Sequence, residues 1–368
     1  MNKKADYLIV GAGLFGATFA RMMTYAGKKC IVIDKRNHIA GNCYTKQRSG
    51  IEVHEYGPHI FHTNNKIIWD FVNRFSEFNR YTHKVKADYK HKLYSMPINL
   101  NTFNDMWGIT CPQIAVEKIT QIQKEHQVWE NLEDWCIAEI GEELYKKLVY
   151  GYTKKQWGRE PRDLPSAIIK RLPIRYTFDD SYFNDTYQGI PVNGYTVMIS
   201  NMLDGTAVHL GEDYLEKRDY WDKQAKRVVY TGALDEFFDY RYDPLEWRSL
   251  RFEHKLYAVQ DYQGRAQINY THPDIPQTRK VEHKHFNYDP KIKDTIVTTE
   301  YPEKWELGKE RYYPVNDVAN NAKAKAYTKK IDRQKYVFGG RLARYQYYDM
   351  HQVIASAMRR SLDELRPY

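Results

Sequence analysis

The stretch DYLIVGAGLFGATFARMMTYAGKKCIVID, Asp6 to Asp34, decides the fold. DYLIV is almost continuously apolar, as a strand buried on both faces of a parallel sheet must be. ATFARMMTYAG has helical apolar spacing and runs out at Gly27, and KCIVID is a second buried strand. Together they predict a βαβ unit. Gly11-x-Gly13-x-x-Gly16 lies between the first strand and the helix, and Asp34 ends the second strand. The first glycine allows a tight turn and the second lets a pyrophosphate approach the backbone at the helix N-terminus. The third lets helix and strand pack closely, and the acid is placed for ribose hydroxyls. In this context the motif predicts dinucleotide binding, against the plainer reading of an α/β domain without cofactor.

Working outward, KIIWDFVNRFSEF (66–78) predicts an amphipathic helix with Ile67, Ile68, Phe71, Val72 and Phe75 on one stripe. HKLYSMPINL (91–100) reads as a strand ending in a loop, and Pro112 to Val149 as helical, through Ile114, Ile119, Ile122, Leu132, Trp135, Ile140, Leu144 and Leu148. RVVYTGALDEFFDY (227–240) reads as strand, glycine turn and helix. From 247 to 300 the pattern is β-rich with turn residues between runs, which predicts an antiparallel meander. YVFGG is then a strand and DMHQVIASAMRRSLDEL a helix.

The fold expectation is therefore α/β. A Rossmann-like FAD domain is assembled from discontinuous segments (1–80, 190–245 and 315–368). A helical insertion (100–165) and an antiparallel sheet domain for the substrate (81–99, 166–189 and 246–314) complete it.

The chain has 368 residues, a formal net charge of +9 and 32 tyrosines. A basic balance favours anionic partners. Lysines and arginines occur only as short pairs such as Lys154-Lys155, so a nucleic-acid track is disfavoured. GYTKKQWGR (151–159) interleaves aromatics with basic residues, a pattern that can grip single-stranded nucleic acid or hold one nucleotide diphosphate. Cys30, Cys43, Cys111 and Cys136 show no CxxC spacing, which predicts a reduced, cytoplasmic protein without disulfide framework or zinc motif. His59-x-x-His62 and His283-x-His285, the latter on one strand face, lack a third ligand at metal spacing, so no metal is expected. Asp179-Asp180 reads as a solvated turn. No apolar run is long enough for a membrane span.

Three segments bear on the cofactor. Asp34 leads into a loop with Gly41-Asn42, VVYTG is a strand running into a glycine turn, and FGGRL precedes a helix opening at Asp349-x-x-Gln352. A helix N-terminus aimed at a flavin pyrimidine would stabilise reduced flavin. Cofactor segments at the start, middle and end of the chain favour FAD over NAD.

The chain resembles the bacterial UDP-galactopyranose mutase family over nearly its full length. The resemblance rests on YGPHIFHT (56–63), GYTKKQWG (151–158), IIKRLPIRYTFDDSYFNDTYQGIP (168–191), TRKVEHKHF (278–286), YYPVND (312–317) and GGRLARYQYYDMHQ (339–352). It implies interconversion of UDP-galactopyranose and UDP-galactofuranose, FAD active in its reduced form, a covalent adduct between flavin N5 and the sugar, and a homodimer. It implies Arg171 and Arg279 as diphosphate-clamping catalytic arginines and His62 beside the flavin. Tyr152 and Trp157 would contact uridine and sugar from a mobile loop, Tyr182, Tyr313 and Tyr347 the diphosphate, and Asn269 the substrate side. On the cofactor it implies Gly11, Gly13, Phe15, Gly16, Asp34, Lys35, Gly41, Asn42, His59, Ile60, Gly340, Arg341, Tyr348, Asp349 and Met350. GYTKKQWGR then reads as a lid on one uridine nucleotide, with Lys154 and Lys155 solvated. The chain departs from the family at Leu148 and Val149, where two phenylalanines are usual, at Ala40 of Ala40-Gly41-Asn42, and at His83. The rival expectation is an FAD oxidoreductase of the amine-oxidase type.

Overall fold

A computed structural model describes residues 4–125, 129–165 and 173–366. They divide into two compact units. One comprises 1–81, 185–247 and 313–368, and the other 82–184 and 248–312.

The first unit is built on β1 (Ala5–Val10), α1 (Leu14–Tyr25) and β2 (Cys30–Asp34). β1 pairs in parallel with β2 on one side and with Ala225–Tyr230 on the other. Tyr336–Phe338 and Ala207–Leu210 extend the sheet outward, giving five parallel strands. Leu8, Ile9, Val32, Ile33 and Val229 are fully buried, which accounts for the unbroken apolar runs. Phe19, Ala20 and Met23 of α1 share a core with Met198 and Met202 of helix Gly194–Leu203 and with Ile354 and Ala357 of the C-terminal helix Met350–Leu365. The helix expected over 66–78 is shorter, Lys66–Val72, and Ile67 is 73% exposed rather than on the buried stripe. Asn65 caps it by accepting from the N–H groups of Ile67 and Ile68, so Ile67 lies in the first turn and faces outward.

In the second unit six strands run in the order Trp247–Tyr257, Thr295–Lys304, Arg279–Glu282, Gln267–Tyr270, Val85–Tyr89 and Lys92–Met96. The pairs are antiparallel except Gln267–Tyr270 with Val85–Tyr89, which is parallel. Between 247 and 304 every pair is antiparallel, as expected, but the order is not a meander, because Trp247–Tyr257 lies beside Thr295–Lys304, and the pair with Val85–Tyr89 makes the whole sheet mixed. Strands distant in sequence meet through a crossover, which local alternation cannot reveal. Val85, Ala87, Tyr94 and Met96 share one hydrophobic core with Phe103, Ile119, Leu132, Leu144 and Tyr145 of the helical segment. Ile114 of that segment is exposed. His283 and His285 do not sit on a strand face, because the strand ends at Glu282 and His283–Phe286 form a 3-10 turn. Among the described residues, no helix is long and apolar enough to cross a membrane.

Candidate functional site

The first unit carries a glycine-rich cradle. Gly11 has φ +111°, and a Cβ there would lie 1.9 Å from Thr231 Oγ1. A Cβ at Gly16 would lie 2.0 Å from the Gly11 carbonyl oxygen. Both positions therefore admit only glycine. Gly13 is the N-cap of α1 and gives no side-chain cap, and no acid lies in the first turn. The N–H groups of the first turn, without a side-chain cap, and the positive end of the helix dipole are thus left for an anion. Asp34 is buried; its Oδ2 accepts from Ala12 N–H at 2.8 Å and its Oδ1 from Arg36 N–H at 2.9 Å. The carboxylate braces the glycine loop directly. Ala40 takes a left-handed φ of +74° while its N–H bonds the Ala12 carbonyl, and Gly41 sits against Gly13. Asn42 Oδ1 accepts from Arg36 Nη2 at 2.9 Å, and Lys35 is exposed.

The C-terminal segment joins this cradle through Phe15, whose ring fills the space a side chain at Gly339 would need. Gly340 follows with φ +83°. Arg341 lies 4.8 Å from the Tyr347 ring and 6.0 Å from that of Tyr313, and the two tyrosines stack at 6.0 Å. Asp349 caps the helix Met350–Leu365 in a reciprocal capping box, its own N–H donating to Gln352 Oε1 at 2.9 Å. Met350 Sδ is 3.7 Å from buried Cys43, and Tyr348 donates to Gln346. His59 N–H donates to His54 Nδ1, and Ile60 is buried beside it. His62 Nδ1 is 2.5 Å from Asp185 Oδ2, and its ring meets His351 edge-on at 5.1 Å. The glycine cradle and the uncapped α1 terminus form a donor set that fits a dinucleotide such as FAD.

The second unit carries the polar row. Asn269, Arg279 and Glu300 stand opposite one another across three adjacent strands. Arg279 Nε and Nη2 reach Glu300 Oε2 at 2.8 and 2.7 Å, and Glu300 is fully buried. Asn269 is buried and accepts from Gln267 Nε2 at 2.8 Å. Tyr182 is anchored by its N–H to the His83 carbonyl at 2.7 Å, with the two rings edge-on. Arg171 lies outside the described residues.

GYTKKQWGR is not a loop. Gly151–Trp157 is an α-helix, closed by Gly158 at φ +64°. Tyr152 and Trp157 are half-buried on it. Lys155 is not solvated either. Its ammonium donates to the carbonyls of Tyr270, His272, Ile275 and Gln277 at 2.7, 3.0, 2.8 and 3.0 Å. Burial pulls its pKa down to about 8. Arg248 satisfies the carbonyls of Gln156 and Lys155 at the end of the same helix. Lys154 does face solvent and pairs with Glu160 at 2.6 Å. Leu148 and Val149 are buried in the core that the sheet shares with the helical segment.

Among the described residues one His/Asp/Glu group comes together, Asp261, Glu282 and His285. His285 Nε2 is 3.4 Å from each carboxylate. Glu282 also accepts from Thr295 Oγ1 and from the N–H groups of Tyr262 and Gln263, so its bonds are those of a buried structural hub. The sequence reading missed Asp185, Glu300 and the role of Lys155. Glu300 left one signal, a carboxylate inside the apolar run TIVTTEY.

This geometry defines a Rossmann-like unit whose glycine cradle fits a dinucleotide, and a second unit with a polar row. A family model for an NAD(P)-binding Rossmann-like domain matches residues 9–75, and one for UDP-galactopyranose mutase matches 147–347. The chain is 38% identical to a probable UDP-galactopyranose mutase of Klebsiella pneumoniae, over 98% of this chain and 94% of that protein. It is 37% identical to a dTDP-fucopyranose mutase of Escherichia coli, over 97% of each. A crystal structure of reduced UDP-galactopyranose mutase superposes with TM-score 0.78 over 99% of this chain and 94% of that one, at 11% identity, a likeness of fold. The chain belongs to the UDP-galactopyranose mutase family and is an isomerase.

Proposed function

We propose that the protein interconverts UDP-galactopyranose and UDP-galactofuranose with FAD as its cofactor, in the cytoplasm and as a homodimer. The observation that carries the reading is the row Asn269–Arg279–Glu300. A buried carboxylate fixes the plane of the Arg279 guanidinium before any ligand arrives. The ordering cost of a bidentate phosphate contact is thus met in advance. Arg279, with Arg171, would hold the diphosphate and stabilise the negative charge on UDP as it departs. Asn269 would fix a sugar hydroxyl, and Tyr182, Tyr313 and Tyr347 would bond phosphate oxygens. Tyr152 and Trp157 offer flat faces to uracil and ribose from a helix anchored by Lys155. Leu148 and Val149 are committed to the core, so Tyr152 is the better stacking surface for the base.

The α1 terminus would bind the FAD pyrophosphate, and the Asp349-capped helix would face the flavin. Gly11, Gly13, Gly16, Gly41, Asn42, Gly340 and Arg341 would complete the cofactor's surroundings, with His59, Ile60 and His62 beside the ring. When bound and reduced, FAD supplies a nucleophilic nitrogen toward the sugar.

The test is to incubate UDP-galactofuranose with dithionite-reduced, FAD-loaded protein and to measure UDP-galactopyranose. Absence of conversion refutes the reading, and oxygen consumption with an amine would favour an oxidase instead. A second reading, a dTDP-sugar substrate, is favoured by the 37% identity to the E. coli dTDP-fucopyranose mutase. The same diphosphate residues would serve it, and parallel assays with both nucleotides decide.

A further inference from the structure

Asp185 lies just before strand Tyr187–Gly189, which pairs with Phe61–Thr63 and sets His62 opposite Gln188. The Asp185 carboxylate has two distinct partners. Oδ2 meets His62 Nδ1 at 2.5 Å, and Oδ1 accepts from Asn64 Nδ2 at 2.6 Å. The orientation of the Asn64 amide is not arbitrary. Its Oδ1 accepts from Thr186 N–H at 2.9 Å and from Thr186 Oγ1 at 3.0 Å. A backbone N–H can only donate, so Asn64 must present its oxygen to Thr186 and its NH2 to Asp185. The Asp185 carboxylate can then only accept, which places a proton on Nδ1 of His62.

We propose that Asp185 is a positioning residue of the reaction, which holds a proton on Nδ1 of His62 and so selects the tautomer in which Nε2 is the accepting nitrogen. The inference rests on the reading that His62 works beside the cofactor. The position of His62 against His351, in the first turn of the helix Met350–Leu365, keeps the ring at that helix end. Its function there depends on which nitrogen carries the proton. Nothing in the sequence motif separates this carboxylate from the neighbouring Asp179 and Asp180, which pair with Arg175, Lys84 and Arg265.

The substitution Asp185→Asn changes no volume but removes one acceptor. Asn64 cannot turn without breaking both bonds to Thr186. The introduced carboxamide must therefore give its oxygen to Asn64 and its NH2 to His62, which forces the Nε2–H tautomer. Asn64→Ala in the same chain removes the lock, so the carboxamide can rotate and offer its oxygen to His62 again.

The experiment compares FAD-loaded wild type, Asp185→Asn, Asn64→Ala and the double variant, each labelled with 15N-histidine. NMR reads the His62 tautomer, and turnover is measured alongside. The expected result is Nδ1–H in wild type and Asn64→Ala, Nε2–H in Asp185→Asn, and Nδ1–H restored in the double variant. kcat should fall about 100-fold in Asp185→Asn with KM little changed, and recover in the double variant. An unchanged tautomer in Asp185→Asn overturns the proposal. So does a switched tautomer with unchanged kcat, or a restored tautomer without recovery. Loss of FAD-bound protein in both Asp185→Asn forms makes Asp185 a stability residue and also overturns it. A wild type without turnover refutes the reaction and leaves the tautomer to the NMR readout.

Discussion

Lys155→Met tests the anchoring of the helix Gly151–Trp157. The three N–H groups of the ammonium are shared among four carbonyl oxygens of one segment, those of Tyr270, His272, Ile275 and Gln277. Methionine keeps most of the stem and supplies no donor. Each carbonyl left dry costs about 1–2 kcal/mol. Release of the ammonium from its partly buried position offsets some of this, because burial already penalises its charge. The net expectation is a loss of about 2–4 kcal/mol. If the second unit, roughly 170 residues, melts cooperatively, that is a fall in Tm of about 5–12 °C. Lys154→Met is the control. Lys154 pairs with Glu160 at the surface, where solvent screens the charges, so its loss should leave stability nearly unchanged. The assay is thermal unfolding of both variants at pH 7, with hydrogen exchange of the 151–157 amides. If Lys155→Met melted within a degree of Lys154→Met, the carbonyl cage would carry no stability and the anchoring argument would fail.

Glu282 should show in the acid limb of stability. Burial raises its pKa, but His285, Thr295 and the N–H groups of Tyr262 and Gln263 outweigh burial and bring it down to about 2, from 4.5. Its contribution is complete above 4.5 and lost as pH falls toward 2, so Glu282→Gln should cost about 2 kcal/mol at pH 7 and flatten that window; equal acid titrations would contradict this. Gly11→Ala puts a Cβ 1.9 Å from Thr231 Oγ1 at φ +111°, and purified protein should carry less than about a tenth of its normal FAD. A normal flavin content measured by absorbance would show that the turn can adapt. Trp157→Ala should weaken UDP binding about tenfold by calorimetry, and unchanged affinity would assign the ring to the core.

The stretch from Asp6 to Asp34 determined the parallel sheet by itself. Continuous burial, a glycine turn and a helix are all written in nearest-neighbour chemistry, and Gly11 and Gly16 leave no alternative side chain. The cap at Asp349 and Gln352 was equally legible, because its two partners lie within one turn. The tertiary structure decided what depends on contacts between distant segments. The parallel pairing of Gln267–Tyr270 with Val85–Tyr89 joins strands far apart in the chain. Lys155 looks like its neighbour Lys154 in sequence, yet one ammonium meets four carbonyls more than a hundred residues away and the other meets Glu160. His62 and Asp185 likewise acquire their hydrogen bond only because two short strands bring them together. Residue type and spacing fix which bonds a segment can offer. Which offers are taken up is settled by where the rest of the chain places the matching donor or acceptor, because a buried polar group must find one.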